Sequence, residues 1–237
     1  MKSGSRAGSG PIPQASGTAA EADAGARAGL TRRRCLLSAS SLTLLVGASA
    51  VPGLALAGGQ LEEPLADSVR SALSAAVARG APPVPEFSDM EKRLVYLRWL
   101  GAMGDRLHRR KPDFQTRVEF LQTVWYESRR AGLDVTLVLG LIQVESAFRK
   151  FAISSVGARG YMQIMPFWSR VIGDGDPAQL FHMQTNIRFG CVILRHYLDR
   201  ERGDMFMALG RYNGSRGRAE YPNAVYAAAR NWTHADV

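Results

Sequence analysis

The sequence is poor in the residues that build disulfide scaffolds and metal sites. Of its 237 residues only Cys35 and Cys191 are cysteines, so a disulfide-rich fold and a cysteine-rich zinc site are excluded. The four histidines show neither HExxH nor HxxxH spacing, which argues against a zinc hydrolase. Runs of alternating β-branched residues are nearly absent, so few strands are expected. With 46% hydrophobic residues, the chain can still form a packed core.

Basic residues exceed acidic ones, and part of the excess lies in the first 57 residues. The chain has 30 Lys and Arg against 21 Asp and Glu, a formal net charge of +9. The mild excess after residue 57 forms no basic stripe with interleaved aromatics, so a nucleic-acid binder remains only an alternative and no nucleic-acid partner is predicted. An acidic polymer outside the cytoplasm is the better candidate partner.

The first 57 residues predict a disordered tail followed by an export signal. Residues 1–30 are mostly Gly, Ala, Ser and Pro, which cannot bury enough surface to fold. Arginines at 32–34 then precede an apolar stretch that ends in a small-x-small site at 55–57, the layout of a cleaved signal peptide. The paired arginines resemble a twin-arginine signal, and a Sec signal stays open. We therefore predict an exported, periplasmic protein, with an uncleaved membrane anchor as the alternative.

The rest of the chain predicts helix after helix. Apolar residues recur every four positions over about 65–77, before a Pro-rich linker. A capping box beginning at Ser88 opens the next helix, and Asp113 and Asp134 can each begin another. Further helices are expected over about 185–200 and 219–231, whereas Tyr212-Asn213-Gly214 is expected to form a turn. These patterns predict an all-α fold.

One carboxylate lies on the apolar stripe of its helix. At 100° per residue, Glu145 falls on the same arc as Val138, Leu141 and Ile142. Burial raises the pKa of a carboxyl group, and a carboxylic acid that keeps its proton near neutral pH can protonate a glycosidic oxygen. The structural alternative is a half-exposed Glu145 paired with Arg149 four residues later.

Four short motifs occur one after another between residues 145 and 214. They are ESAF at 145–148, SSVGARGYMQIMP at 154–166, TNIRFG at 185–190 and ALGRYNG at 208–214. Together they resemble the catalytic domain of soluble lytic (murein) transglycosylases, which belong to the lysozyme-like superfamily and are relatives of goose-type lysozyme. The resemblance covers about 133–231, and it departs from the family pattern at Tyr161, Arg211 and Ser215. We expect these departures to touch the cleft wall and to alter subsites.

The resemblance implies a domain organisation and a set of site residues. It implies a lysozyme-like helical catalytic domain over 133–234. Composition and helix patterning predict the rest of the chain: a tail and export signal over 1–57, a first helix and Pro-rich linker over 58–87, and a helical extension packing on the catalytic domain over 88–132. Glu145 falls on the catalytic acid. The implied substrate-binding positions are Ser154, Gln163, Met165, Tyr212 and Asn213, with Tyr212 close to the catalytic carboxylate.

The implied reaction needs one carboxylate and no metal or cofactor. Glu145 would protonate the oxygen between N-acetylmuramic acid and N-acetylglucosamine and then accept the proton of the muramoyl C6 hydroxyl, closing a 1,6-anhydro ring. Hydrolytic glycosidases usually need two carboxylates, and no second acidic residue of this chain matches a catalytic position of the family. The implied partner is therefore the peptidoglycan strand, and any protein partner is unknown.

Two further hypotheses remain open from the sequence. A lysozyme-type hydrolase could use the same fold, and a non-catalytic peptidoglycan-binding module could keep the motifs without turnover. The motifs also leave open whether cleavage occurs within strands or at their ends, and what residues 58–132 contribute.

Overall fold

The computed structural model describes residues 59–78 and 85–235, and within them the predicted all-α class is confirmed. The predicted tail and export signal at 1–57 lie outside the described residues. The α-helices are α1 Asp67–Val77, α2 Met90–Leu107, α3 Phe114–Arg130, α4 Val135–Ser146, α5 Phe167–Ile172, α6 Met183–Arg200, α7 Met205–Asn213 and α8 Glu220–Ala229. Two 3₁₀ helices span Pro177–Phe181 and Arg230–Trp232.

Aspartate side chains cap the N-termini of four of the described α-helices. Asp113 accepts a hydrogen bond from the Thr116 amide at 2.7 Å, and Asp134 accepts one from the Leu137 amide at 2.8 Å, as the sequence predicts. Asp204 begins α7 in the same way. The capping box at Ser88 was wrong by one residue, because Asp89 is the residue that caps α2. A carboxylate is the stronger acceptor for the unpaired amides of a helix start.

Two segments differ from the sequence-based expectation. Tyr212 and Asn213 do not form a turn, because they are the last two residues of α7, and the turn begins at Gly214 with a left-handed φ of 76°. Helix α5 and the 3₁₀ helix after it are not predicted by the sequence pattern. Both elements are shorter than two helical turns, so they show no readable apolar period.

Helix α4 lies at the centre of the described fold. Val138, Leu139, Leu141 and Ile142 are fully buried, so α4 is covered on nearly every side. Its closest neighbour is α8, and a Cβ atom at Gly140 would lie 2.6 Å from the backbone nitrogen of Ala229. The missing side chain at Gly140 therefore lets α8 approach α4 closely enough to bring a side chain of α8 to the end of α4.

Helix α1 is joined to this core by hydrogen bonds to its last carbonyl groups. Arg130 of α3 donates to the carbonyl oxygen of Ala76 at 2.9 Å, and Arg188 of α6 donates to that of Val77 at 3.4 Å. Both arginines also bind the buried carboxylate of Glu127. None of the described helices is both long enough and apolar enough to cross a membrane.

Candidate active site

Glu145 lies at the bottom of a cleft of about 570 Å³. Its side chain is at the C-terminal end of α4, which ends abruptly because Ala147 and Phe148 both take left-handed backbone conformations. The side chain is only 5% exposed, and it makes no ion pair with Arg149, whose guanidinium instead donates to the Ser146 carbonyl at 3.0 Å. No other acidic residue lines this cleft within the described part of the chain.

The two carboxyl oxygens of Glu145 have different surroundings. Oε1 accepts a short hydrogen bond from the Tyr221 hydroxyl, whereas Oε2 is buried without a hydrogen-bond partner. Burial raises the pKa of Glu145 to about 8, and the Tyr221 hydrogen bond opposes part of that rise because it favours the ionised form. Glu145 therefore keeps its proton at neutral pH and has one oxygen unoccupied by the protein.

Tyr221 is a site residue that sequence reasoning missed. It lies in the first turn of α8, 76 residues after Glu145, and it reaches the carboxyl group because α8 packs tightly on α4. Burial, followed by the charge of Glu145, raises the pKa of Tyr221 well above its usual value. No local pattern around Tyr221 distinguishes it from a core tyrosine, so only the packing of the two helices identifies it.

The loop between α4 and α5 forms one wall of the cleft and carries Ser154 and Gln163. Ser154 Oγ accepts a hydrogen bond from the Ala158 amide at 3.0 Å, which leaves its own hydroxyl hydrogen free to donate. The Gln163 carboxamide donates to the carbonyl oxygens of Ala152 and Gly160, at 3.1 and 2.9 Å. Both residues line the cleft, and Gln163 also fixes the shape of its loop.

A buried asparagine on α6 supports this loop from behind. Asn186 accepts from the Met162 amide at 2.8 Å and donates to the carbonyl oxygens of Arg159 and Leu180. A Cβ atom at Gly190 would collide with the Met162 side chain. Asn186 and Gly190, both part of the TNIRFG motif, thus hold Met162 in place. Because Gln163 is the next residue in the chain, they also help to position Gln163.

Of the remaining predicted site residues, Asn213 lines the cleft, whereas Tyr212 and Met165 do not. Asn213 lines the cleft, and its side-chain oxygen Oδ1 is buried without a hydrogen-bond partner. Tyr212 is fully buried beneath the cleft, where its hydroxyl donates to the Met162 carbonyl at 2.7 Å and the charge of Glu145 helps to raise its pKa. Met165 packs against the core and does not line the cleft; its amide contributes through the hydrogen bond described next.

The segment before α1 also reaches the cleft, which the sequence analysis did not predict. Gln60 is 3% exposed; its carboxamide donates to the Gln163 carbonyl at 3.4 Å and accepts from the Met165 amide at 3.2 Å. Gly59 lines the cleft, and a Cβ atom there would lie 2.5 Å from the Asn213 carbonyl oxygen. Residues 59–60 thus join the loop wall of the cleft to the end of α7.

An ion-pair network anchors this segment further along the chain. Glu63 pairs with Arg200 and with Arg211, and Arg211 also pairs with Glu201 at 2.7 Å. Three arginines, including Arg216, thus surround two glutamates. Arg211 is one of the departures from the family pattern, and it binds the N-terminal segment without lining the cleft. No described cluster of three or more His, Cys, Asp or Glu could hold a metal ion.

The residues that form the cleft are similar to a known family of domains. A family model described as "Transglycosylase SLT domain" matches residues 123–233. The matched range is a little under half of the chain. The match confirms the resemblance to lytic transglycosylases that the four motifs indicate. The SLT domain contains Glu145, Tyr221 and every other cleft residue except Gly59.

Similar proteins carry related names. A "Transglycosylase" of Enterobacteria phage PRD1 is 36% identical over 107 residues, which cover 44% of this chain and 38% of the phage protein. "Membrane-bound lytic murein transglycosylase C" of Glaesserella parasuis is 45% identical over 83 residues, covering 32% of this chain and 23% of that protein. The chain therefore spans well under half the length of these relatives.

Among solved structures, an inactive mutant of lytic transglycosylase Slt from Pseudomonas aeruginosa matches with a TM-score of 0.38 and 25% identity. That match covers 59% of this chain and 26% of the Slt chain.

Proposed function

We propose that this protein is a peptidoglycan lytic transglycosylase. It cleaves the β-1,4 bond between N-acetylmuramic acid and N-acetylglucosamine and leaves 1,6-anhydromuramoyl ends. The observation that carries the proposal is Glu145, a buried carboxyl group that is protonated at neutral pH and is the only acid lining the cleft among the described residues. The SLT domain and the lytic murein transglycosylases among its relatives support the substrate class.

Glu145 acts first as a general acid. Its unpartnered Oε2 is the oxygen available to a ligand in the cleft, since Oε1 is occupied by Tyr221. Transfer of the proton to the glycosidic oxygen breaks the bond from C1 to that oxygen and releases the N-acetylglucosamine hydroxyl. The Tyr221 hydroxyl remains as a donor to the carboxylate that forms, so it stabilises the state after proton transfer.

Glu145 then acts as a general base. The ionised carboxylate accepts the proton of the muramoyl C6 hydroxyl, whose oxygen forms the new bond to C1. Glu145 is thereby returned to its protonated state, and no water is consumed. The cleft offers no second carboxylate from the described residues to activate a water molecule, and a single carboxylate acting twice is sufficient for the intramolecular reaction.

Two polar side chains can orient the sugar. The Ser154 hydroxyl has a free hydrogen to donate, which suits the carbonyl oxygen of an acetamido group. Asn213 Oδ1 is buried and unpaired, which suits an N–H or O–H donor of the substrate. Gln163 shapes the wall between them, and Tyr212 and Met165 support that wall from within the domain.

The location of action follows from the substrate. Peptidoglycan lies outside the cytoplasmic membrane, and the predicted export signal at 1–57 fits that location. The relatives named membrane-bound lytic murein transglycosylases support a place in the cell envelope. We expect the peptidoglycan strand to be the partner of the domain.

Product analysis of digested sacculi tests the proposal. The wild-type protein should release muropeptides with 1,6-anhydro ends, which are lighter than hydrolysis products by the mass of one water. Glu145→Gln should lower the rate by about 10²–10⁴-fold, because the carboxamide has no proton to transfer. Arg93→Gln, an exposed change outside the lining of the cleft, serves as the control.

Three results would contradict the proposal. Reducing ends in place of anhydro ends would identify a hydrolase. Binding to sacculi without release of any product would identify a non-catalytic module. Wild-type rates in Glu145→Gln would show that the acid is another residue.

A further inference from the structure

A second groove continues from the cleft of Glu145. It has a volume of about 510 Å³ and is formed by residues 110–111 and 148–153. The two cavities share three lining residues, Arg149, Ala152 and Ile153. A ligand bound in the cleft can therefore extend into this second cavity, which we name the basic groove.

The basic groove gathers four positive charges. Arg110, Lys111, Arg149 and Lys150 line it, and no aspartate or glutamate does. Among the described residues none of the four forms an ion pair with a carboxylate, whereas each of the three arginines in the network around Glu63 and Glu201 does. Positive charges that are held together without a counter-ion repel one another, so the groove favours an anionic ligand.

Lys111 is the most enclosed of these cations. It is 8% exposed, and its ammonium group lies 2.5 Å from the Tyr161 hydroxyl and 4.8 Å from the centre of the Phe120 ring. Burial, together with the nearby charge of Lys150, lowers the pKa of Lys111 to about 8. Tyr161 is a departure from the family pattern, and in this protein it is the residue that holds the buried lysine.

Two of the other cations lie against aromatic rings. The Arg110 guanidinium lies 5.5 Å from the centre of the Phe148 ring, and the Lys150 ammonium lies 5.2 Å from that of Phe151. Phe148 takes a left-handed backbone conformation that turns the chain sharply after α4. Phe151 is 71% exposed and adds an apolar surface at the rim of the groove. The groove thus combines positive charge with ring surface, which suits a peptide that bears carboxylates.

We propose that the basic groove binds the carboxylates of the peptide stems that muramoyl residues carry. This inference rests on the proposed function, because the stem is attached to the sugar that reacts next to Glu145. In a peptide-bearing strand the lactyl carboxyl group of each muramoyl residue is amidated by the stem, so the free carboxylates of that substrate lie on the stems. The groove makes the enzyme selective for glycan strands that still carry peptides.

The test compares one enzyme on two forms of the same substrate. The substrates are glycan strands with peptide stems and the same strands stripped of peptides by an amidase and then amidated at the lactyl carboxyl groups that this exposes, so that the stripped strands are uncharged. The double variant R110Q/K150Q removes two exposed charges of the groove and leaves the cleft residues unchanged. The control, R93Q/R109Q, removes the same charge from exposed positions outside both cavities.

We expect R110Q/K150Q to lower kcat/KM on peptide-bearing strands about 10-fold, because each lost charge contact weakens binding several-fold. Stripped strands should be cleaved at the wild-type rate within about two-fold, and the control should resemble the wild type on both substrates. Equal losses on the two substrates, or no loss on either, would overturn the groove proposal while leaving the proposed function intact.

A binding measurement separates the two proposals. In the Glu145→Gln background, a disaccharide-peptide should bind more tightly than the same disaccharide with a simple amide in place of the peptide, and R110Q/K150Q should remove that difference. Preferential binding that does not depend on Arg110 and Lys150 would overturn the groove proposal. Absence of anhydro products from the wild-type protein would overturn the proposed function. The binding measurement would still test whether the groove binds peptide stems, because it does not depend on catalysis.

Discussion

Glu127 and Glu145 are both buried glutamates on neighbouring helices, and their surroundings give them opposite roles. Glu127 is fully buried, and its two oxygens accept from Arg188 at 2.9 Å and from Arg130 at 2.8 Å. Glu145 is nearly as buried, yet only one of its oxygens has a partner, the neutral hydroxyl of Tyr221. One carboxylate is neutralised by ion pairs, and the other by keeping its proton.

The difference separates a structural carboxylate from the one that we propose as the catalytic acid. Two guanidinium groups satisfy both oxygens of Glu127 and join α3, α6 and the end of α1, so that site has no oxygen to offer a ligand. The Glu145 site faces a cleft and offers Oε2. Burial of a carboxyl group alone therefore does not identify a catalytic acid. A buried carboxyl group that lines a cleft and has no cationic partner is a better candidate.

The largest effect on stability is expected where the ion pairs are removed. Glu127→Gln leaves two arginines without their carboxylate and should lower the free energy of unfolding by about 3–5 kcal/mol, as is typical of a broken buried pair. Denaturant unfolding would measure this change. Glu145→Gln is the matched control, and it should not destabilise the fold at neutral pH. Similar losses in the two variants would contradict the comparison.

The pH dependence of stability should differ between the wild type and Glu145→Gln. Between pH 4.5, the ordinary pKa of glutamate, and about 8, the unfolded chain has released the Glu145 proton and the folded protein has kept it. The free energy of unfolding should therefore fall with rising pH, by about 1.4 kcal/mol per pH unit from this group. Thermal unfolding across this range would measure the slope.

The variant Glu145→Gln lacks the titrating group, so its slope should be smaller throughout that window. Identical slopes in the two proteins would show that Glu145 ionises normally in the folded state.

Removing the single partner of Glu145 should shift its titration. Tyr221→Phe deletes the hydroxyl that favours the ionised carboxylate, so the pKa of Glu145 should rise further above 8. The second proton transfer should then slow, and kcat should fall about 10-fold, which corresponds to one charge-assisted hydrogen bond. The pH profile of kcat/KM measures the shift. Tyr226→Phe, on the same helix, is the control, and a profile unchanged by Tyr221→Phe would contradict the assigned role.

The smallest effect is expected from the segment at the edge of the cleft. Gly59→Ala places a methyl group 2.5 Å from the Asn213 carbonyl oxygen and should displace residues 59–60, admitting water toward Glu145. The pKa of Glu145 should then fall by up to about one unit, since burial is its main cause. Gly101→Ala has open space and is the control. A pH–rate profile that does not change would show that this segment does not shield the acid.

The sequence predicted the elements that depend on local pattern. The 100° periodicity of α4 placed Glu145 on a buried stripe, and Asp113 and Asp134 marked the starts of their helices, because these signals lie within a few residues of each other. Short-range pattern was sufficient for these features.

Features that depend on tertiary packing were not predictable in this way. Tyr221 meets Glu145 only because α8 packs against Gly140, and Gln60 reaches Gln163 across 103 residues of sequence. Nothing near Glu127 in sequence indicates that Arg188, 61 residues later, will pair with it. A buried glutamate that forms ion pairs and one that forms none can lie on the same apolar helix stripe. The sequence alone therefore could not show that Glu127 is paired and Glu145 is not.

The most direct test of the account is the pKa of Glu145 itself. Carbon-13 NMR of the protein labelled at glutamate carboxyl groups, compared with Glu145→Gln to assign the signal, would follow its titration. The account predicts a carboxyl group that remains protonated through neutral pH and titrates near pH 8. A signal that titrates near pH 4.5 would show an ordinary ionised glutamate and would contradict its role as the proton donor.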